Sequence, residues 1–281
     1  MAPILTARRG FQRAQGVNCV TEGMNSPNHG LFVLGLAVER WSAEPPFNTF
    51  AWRQRKPCAQ LGASTGSIMA SSSFWMLTPM KLYYSTGACS LSPHIALLEA
   101  GLPFELILAS TKTKKLADGT DYLTINPRGQ VPVLELDNGE RLTEGPAIVQ
   151  YIADQAPASG LAPAAGTLAR YRLMEMLNFI TSELHKGFSP LFNPAMPDEA
   201  KAITRDKLAS NFAWLDSQLE GKTWLLGETF TVADGYLFTV SNWARLVGVD
   251  LAPYARLNAL RERIAARPAV QAAMKAEGLI K

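Results

Sequence analysis

Cysteines, histidines and the hydroxyls beside them are the residues here that can do nucleophilic or proton-transfer chemistry unaided. The cysteines are Cys19, Cys58 and Cys89. Their odd number and wide spacing suggest neither a disulfide framework nor a zinc site. A reducing compartment, the cytoplasm, is the simplest setting for them. Cys89 stands apart because the residues around it are regularly patterned. Lys81-Leu82-Tyr83-Tyr84-Ser85 reads as a strand, Thr86-Gly87-Ala88 as a turn, and a helix begins at Ser90. A thiol at such a junction meets unpaired backbone N–H groups and the positive end of a helix dipole, which lower its pKa and favour the thiolate. The other ordinary role of a lone cysteine is as a small buried core residue. Tyr84 and Ser90 place hydroxyls nearby, and core packing explains Tyr84 equally well. His185 and Lys186 adjoin in a long helical pattern. A cation there would stabilise a thiolate, and an imidazole titrating near neutrality would move a proton. His94, after Pro93 in the first helix, reads as structural. No metal-ligand spacing and no nucleotide-binding motif is visible.

These residues need elements to position them. After the first helix, with Leu91, Ile95 and Leu98 on one face and Gly101 as its stop, Phe104–Leu108 reads as a second strand. A polar loop over 112–121 leads to a short helical stretch ending at Ile125. Val131–Leu136 reads as a third strand, Asn138-Gly139 as a hairpin turn, and Arg141-Leu142 as the returning strand. Glu144–Gln155 is a further helix. The order β-α-β-α-β-β-α predicts an α/β layer. The Ala- and Pro-rich stretch 156–166 reads as a linker. Helical patterns follow at 167–188, 198–220, 231–246 and 254–266, with a short helix after Pro268. Thr231 and Asp234 form an S/T-x-x-D capping pair, assigned to folding. Trp214, Trp224, Phe238 and Trp243 read as core, with some available to line a site. The expected fold is α/β plus all-α, with an α/β domain at 80–157 and an all-helical domain at 167–281.

The bulk numbers agree with a globular chain. Of 281 residues, 47% are apolar and 18% charged, enough to bury a real core. No apolar run approaches the roughly 18–20 residues that cross a bilayer. Net charge is +3, yet seven basic and three acidic residues precede Met80, leaving 20 basic against 21 acidic after it. No basic patch beyond Met80 argues for nucleic acid. Residues 1–79 show no sustained period and read as an extension. Met80 as the true start, a tail without fixed structure, and a targeting segment beginning with Arg8, Arg9 and Arg13 all remain open. A secretory signal fits poorly, because the apolar run Gly30–Val38 comes late and lacks a cleavage site.

Several motifs occur in order from Met80 to the end. They are the strand and cysteine turn with Gly-Ala-Cys-Ser-Leu-Ser-Pro-His (87–94), Asn-Pro-Arg-Gly-Gln-Val-Pro-Val (126–133) and Leu-Thr-Glu-Gly-Pro-Ala-Ile (142–148). Ser-Glu-Leu-His-Lys-Gly (182–187) and Phe-Thr-Val-Ala-Asp (230–234) follow. Together they resemble bacterial cytosolic glutathione transferases of the beta class. The resemblance implies a thioredoxin-like domain followed by an all-helical one, and a homodimer in which glutathione is cosubstrate for detoxifying electrophilic small molecules. It places Cys89 beside the glutathione sulfur, able to form a mixed disulfide with it.

In the same resemblance Val131-Pro132 is a cis-proline turn whose Val131 backbone groups face outward to pair with glutathione as an added strand. Glu144 and Gly145 receive the γ-glutamyl ammonium and carboxylate. Gly145 departs from the Ser common at its position, so only its backbone contributes. Lys114 and Gln130 are candidates for the glycine carboxylate. His185, Lys186 and Tyr84 are the candidate catalytic partners of Cys89. Asn178, about two turns before His185, is a candidate to reach glutathione from its own or a neighbouring subunit. A glutathione-dependent reductase, dehalogenase or isomerase is an alternative, as is a non-catalytic ligand-binding module on the same fold.

Overall fold

The computed structural model describes residues 79–281. The readings of the N-terminal extension, with Cys19 and Cys58, lie outside them.

The α/β layer is a four-stranded sheet in the order β2-β1-β3-β4. β1 (Met80–Tyr84) and β2 (Phe104–Leu108) are parallel, paired from Met80–Phe104 to Tyr84–Leu108. Parallel neighbours need a crossover, and α1 (Leu91–Ala100) supplies it. Gly101 ends α1 in the left-handed region at φ 66°, donating to the carbonyls of Leu97 and Leu98. β3 (Val133–Glu135) runs antiparallel to β1, and β4 (Arg141–Leu142) returns along β3. β3 is shorter than its apolar run because Pro132 has no N–H to give a ladder. Alternation in β1 sends Leu82 into the main core and Tyr83 into a second cluster with Tyr122, Ala109, Val131 and Val133. Both faces of the sheet are therefore covered.

α2 (Gly145–Gln155) packs beside α1, and α3 (Leu168–Phe179) opens the helical layer. Arg170 joins the two across the linker. Its guanidinium donates to both Asp154 oxygens (2.8 and 2.7 Å), to Gln150 and to the Pro163 carbonyl. That contact holds the Asp154 carboxyl below its usual range. Where the sequence predicts one helix ending near 188, the chain stays helical to Phe192, but with a wide turn. After α3, Ile180–His185 has π geometry, and α4 (Lys186–Phe192) follows. Such a turn shifts the register of the side chains it carries. Asn211, on α5 (Asp198–Gln218), donates to the Glu183 carbonyl inside it at 3.1 Å. α6 (Val232–Ser241) is buried along its whole length, and α7 (Ala255–Ala265) and α8 (Pro268–Ala276) close the layer. α1 lies against α6 and α8, where Glu99 accepts from Nε and Nη2 of Arg267 at 2.6 and 2.7 Å.

Among the aromatics read as core, Phe238 is 3% and Trp243 9% exposed. Trp214 is a correction: it is 42% exposed and stacks on Phe179 from outside the core. No helix among the described residues is long and apolar enough to cross a membrane.

Asp234 anchors the start of α6. Its buried carboxylate accepts from the Thr231 N–H (2.8 Å), the Leu225 N–H (2.8 Å) and the Thr231 hydroxyl (3.1 Å). Truncation strands two buried backbone donors. Asp234→Ala is expected to cost about 2–4 kcal/mol, read by circular dichroism as a melting point lowered by roughly 5–15 °C. A shift within a degree of wild type would refute this role.

Candidate active site

A cavity of about 650 Å³ lies between the sheet and the helical layer. Its α/β wall carries Ala88, Cys89, Lys114, Gln130, Val131, Pro132, Glu144 and Gly145. Thr181, His185, Lys186, Phe192, Tyr236, Trp243 and Leu246 form the helical wall. Of the residues singled out by sequence, ten thus converge: Cys89, Lys114, Gln130, Val131, Pro132, Glu144, Gly145, His185, Lys186 and Trp243. Tyr84 and Asn178 do not. The strand's alternation turns the Tyr84 ring away from the cavity and against His94, 6.4 Å between centroids. Asn178 is exposed on α3.

Two contacts from far along the chain hold the loop before Cys89. Trp243 Nε1 donates to the Gly87 carbonyl at 2.9 Å, and the Gly87 N–H donates to Glu277 Oε2 at 2.9 Å. Glu277 Oε1 also lies 3.0 Å from His94 Nδ1, so His94 is a buried anchor of α1. The Ser90 hydroxyl bridges the Ser85 N–H and carbonyl, so it braces the turn and is not free to assist chemistry.

The thiol differs from the sequence expectation. The amides of Cys89 and Ser90 and the Lys186 ammonium do favour the thiolate, but burial outweighs them and pushes Cys89 up to about 11. The protonated sulfur donates to the Val131 carbonyl at 3.2 Å. The Val131-Pro132 bond is cis, and the Val131 carbonyl, expected to face outward unpaired, is engaged by Cys89 instead. His185 also departs from expectation. Burial first, then the Lys186 charge, lowers it to about 4, so it is neutral at pH 7 and neither a cation nor a group titrating near neutrality. In stability terms its folded pKa lies below the unfolded value, so the fold loses stability as pH falls from about 6.5 towards 4.

On the α/β wall Glu144 precedes α2 at φ 64°, a left-handed conformation that costs a non-glycine residue energy and that collects at functional sites. Its carboxylate meets Arg128 at 2.7 Å in an exposed pair, worth little in stability. Pro146 brings no N–H, which leaves the Gly145 amide as the first donor of α2. Lys114, at φ 57°, gives its ammonium to the Gly129 carbonyl at 2.8 Å. Gln130 is exposed, its carbonyl held by Tyr122 and Asn126. Sequence reasoning passed over Tyr236, whose hydroxyl lies 2.7 Å from His185 Nδ1; on an apolar helix nothing in the pattern marks it out. No group of three His, Cys, Asp or Glu among the described residues is placed to hold a metal.

Comparison with known proteins matches residues 86–155 to the glutathione S-transferase N-terminal domain and residues 179–268 to the glutathione S-transferase C-terminal domain. The glutathione S-transferase GstA of Escherichia coli O157:H7 is 46% identical over 200 residues, 71% of this chain and all of the relative. The structure of a sphingomonad glutathione S-transferase complexed with glutathione is similar at 54% identity and TM-score 0.69, covering 71% of this chain and 100% of that one. A bacterial beta-class glutathione S-transferase of Sphingomonas chungbukensis is similar at 50% identity, with the same TM-score of 0.69 and the same coverage of 71% and 100%.

Because the thiol sits well above neutral pH, its thiolate fraction rises tenfold per pH unit below about pH 11. Alkylation of Cys89 by iodoacetamide, followed on its own peptide by mass spectrometry, is expected to climb tenfold per unit from pH 7 to 10. A plateau by pH 8 would show that the helix terminus wins over burial.

Proposed function

The chain belongs to the glutathione S-transferase family, and we propose that its cavity joins the sulfur of glutathione to electrophilic small molecules. The enzyme is a glutathione transferase of the bacterial beta class with glutathione as cosubstrate. The observation that carries the site assignment is the division of the cavity: a peptide-binding wall around Cys89 faces a wall of aromatic and apolar side chains.

Glutathione docks along Val131, where its amides replace the cysteine as partner of the carbonyl. Glu144 receives the γ-glutamyl ammonium, and the Gly145 amide at the α2 N-terminus receives the adjacent carboxylate. Lys114 and Gln130 lie at the glycine end. Released from Val131, the Cys89 thiol is free to donate to the glutathione sulfur, and Lys186 adds a positive charge beside it. The thiolate attacks an electrophilic carbon held against Phe192, Trp243 and Leu246, forming a thioether and releasing the leaving group with its electron pair.

A second reaction follows from a cysteine in this place. The Cys89 thiolate attacks oxidised glutathione, giving a Cys89–glutathione disulfide and one reduced glutathione. The thiol pKa makes this slow at neutral pH. A reducing cytoplasm suits the half-buried free thiol.

A homodimer is supported by α3, where Leu168 is 73%, Tyr171 58% and Met174 38% exposed along one face, with Asn178 continuing it. Pairing through this face brings Asn178 towards the partner. Sedimentation is expected to show twice the chain mass, falling to one chain in Leu168→Glu/Tyr171→Glu; a monomeric wild type would refute the pairing.

Intact-protein mass spectrometry after incubation with oxidised glutathione is expected to show one adduct, absent from Cys89→Ala and removed by reductant. In parallel, reduced glutathione with a chloronitrobenzene should yield a thioether. Oxidised glutathione as product would instead mark a reductase, and tight binding without turnover a binding module.

A further inference from the structure

Three hydroxyl and imidazole groups meet on the helical wall, and their hydrogens can be counted. The Tyr236 hydroxyl is 2.7 Å from His185 Nδ1 and 3.4 Å from Thr181 Oγ1. Thr181 gives its single hydrogen to the Leu177 carbonyl at 2.8 Å, so towards Tyr236 it can only accept. Tyr236 also has one hydrogen. Either it donates to Nδ1 and His185 carries its own proton on Nε2, or Nδ1–H donates to Tyr236, which donates on to Thr181.

The long contact to Thr181 favours the first. Hydroxyl donors bond at about 2.5–3.0 Å, whereas N–H donors to oxygen centre near 2.9–3.0 Å. The 2.7 Å contact suits a hydroxyl donor, and 3.4 Å is too long for a sound hydroxyl bond to Thr181. The first arrangement places the Tyr236 hydrogen in the short contact; the second spends it on the long, weak one, with the Nδ1–H bond at the short end of its normal range. Nε2 is on the opposite side of the ring and bonds no protein group. Because Ser92 Oγ is the buried, unpartnered side-chain polar atom among the described residues, Nε2 is in contact with solvent, and His185 lines the cavity. The ring is wedged edge-on against Trp243 at 4.9 Å between centroids.

We infer that Tyr236 is a positioning residue that holds His185 in its Nε2–H tautomer, so that His185 presents the cavity with a hydrogen-bond donor and not a base. The neutrality of the ring at pH 7 agrees, since the tautomer rather than the charge then decides what the ring offers. The acceptor is an anionic atom in the cavity, which on the reading above is the glutathione thiolate. No proton is transferred; the donor stabilises charge already there.

Nitrogen NMR of the 15N-histidine-labelled protein at pH 7.5, without ligand, tests the tautomer. His185 is assigned by the loss of its signals in His185→Gln. An unprotonated, pyridine-like Nδ1 and a protonated, pyrrole-like Nε2 are expected, and the reverse pattern overturns the inference. In Tyr236→Phe both tautomers should appear, and kcat should fall about tenfold, one hydrogen bond's net worth, with KM for glutathione unchanged. An unchanged kcat would overturn the positioning role. Glutamine puts an amide donor near the place of Nε2 and asparagine near that of Nδ1. His185→Gln should therefore keep more turnover than His185→Asn, a difference that loss of packing does not predict. The NMR needs no glutathione, so a wild type that shows Nε2–H but conjugates nothing would overturn the functional reading and leave the tautomer standing.

Discussion

Glu277 follows α8 at 4% exposure, with one carboxylate oxygen on the Gly87 N–H and the other beside His94 Nδ1, and the place of the cysteine depends on this arrangement. A buried carboxylate is costly unless donors meet both oxygens, and removing either partner leaves charge uncompensated. The two donors come from the cysteine loop and from α1, while the acceptor comes from the last helical segment. Trp243 holds the next peptide of the same turn through the Gly87 carbonyl. The loop is thus clamped from both edges by the helical layer, and the sheet and helices meet in one register around it.

That clamp has an electrostatic consequence. It encloses Cys89, and enclosure acts against the charges and dipoles that would ionise it. Helix N-terminal amides and Lys186 pull towards thiolate, burial pulls towards thiol, and burial is the larger effect. A thiol is a donor, which is why the sulfur gives its hydrogen to the Val131 carbonyl. The carbonyl that an extended peptide would use is therefore already satisfied without ligand, and a bound peptide exchanges one hydrogen bond for another instead of filling an empty acceptor.

The opposite wall follows the same logic with other groups. The π turn at Ile180–His185 places His185 against Tyr236 and Trp243, and the Asn211 side chain satisfies a carbonyl within it. Enclosure lowers the imidazole as it raises the thiol, so Cys89 and His185 are both neutral at pH 7. The remaining charge at the cavity lies with Lys186, with Lys114 on the Gly129 carbonyl, and with the exposed Glu144–Arg128 pair at the rim.

Much of this was legible in the chain itself. Period 2 in β1, the Asn138-Gly139 turn, the Gly101 stop and the Thr231–Asp234 pair are local signals read over a few residues, and the elements stand within a residue or two of them. The ordered motifs likewise marked Cys89, Val131, Glu144 and His185 as belonging together. Local patterns did not report which face a residue turns to when both faces are buried, so Tyr84 turned away from the cavity and Tyr236 entered it from a helix that is apolar all round. Nor did they report protonation. The sequence by itself determined the elements, their order and the candidate chemistry, because those depend on neighbours in the chain. Only the tertiary structure decided the charge state of Cys89 and His185, because desolvation depends on how much protein encloses a group, and the Trp243 and Glu277 segments that close over the cysteine turn lie more than 150 residues from it along the chain.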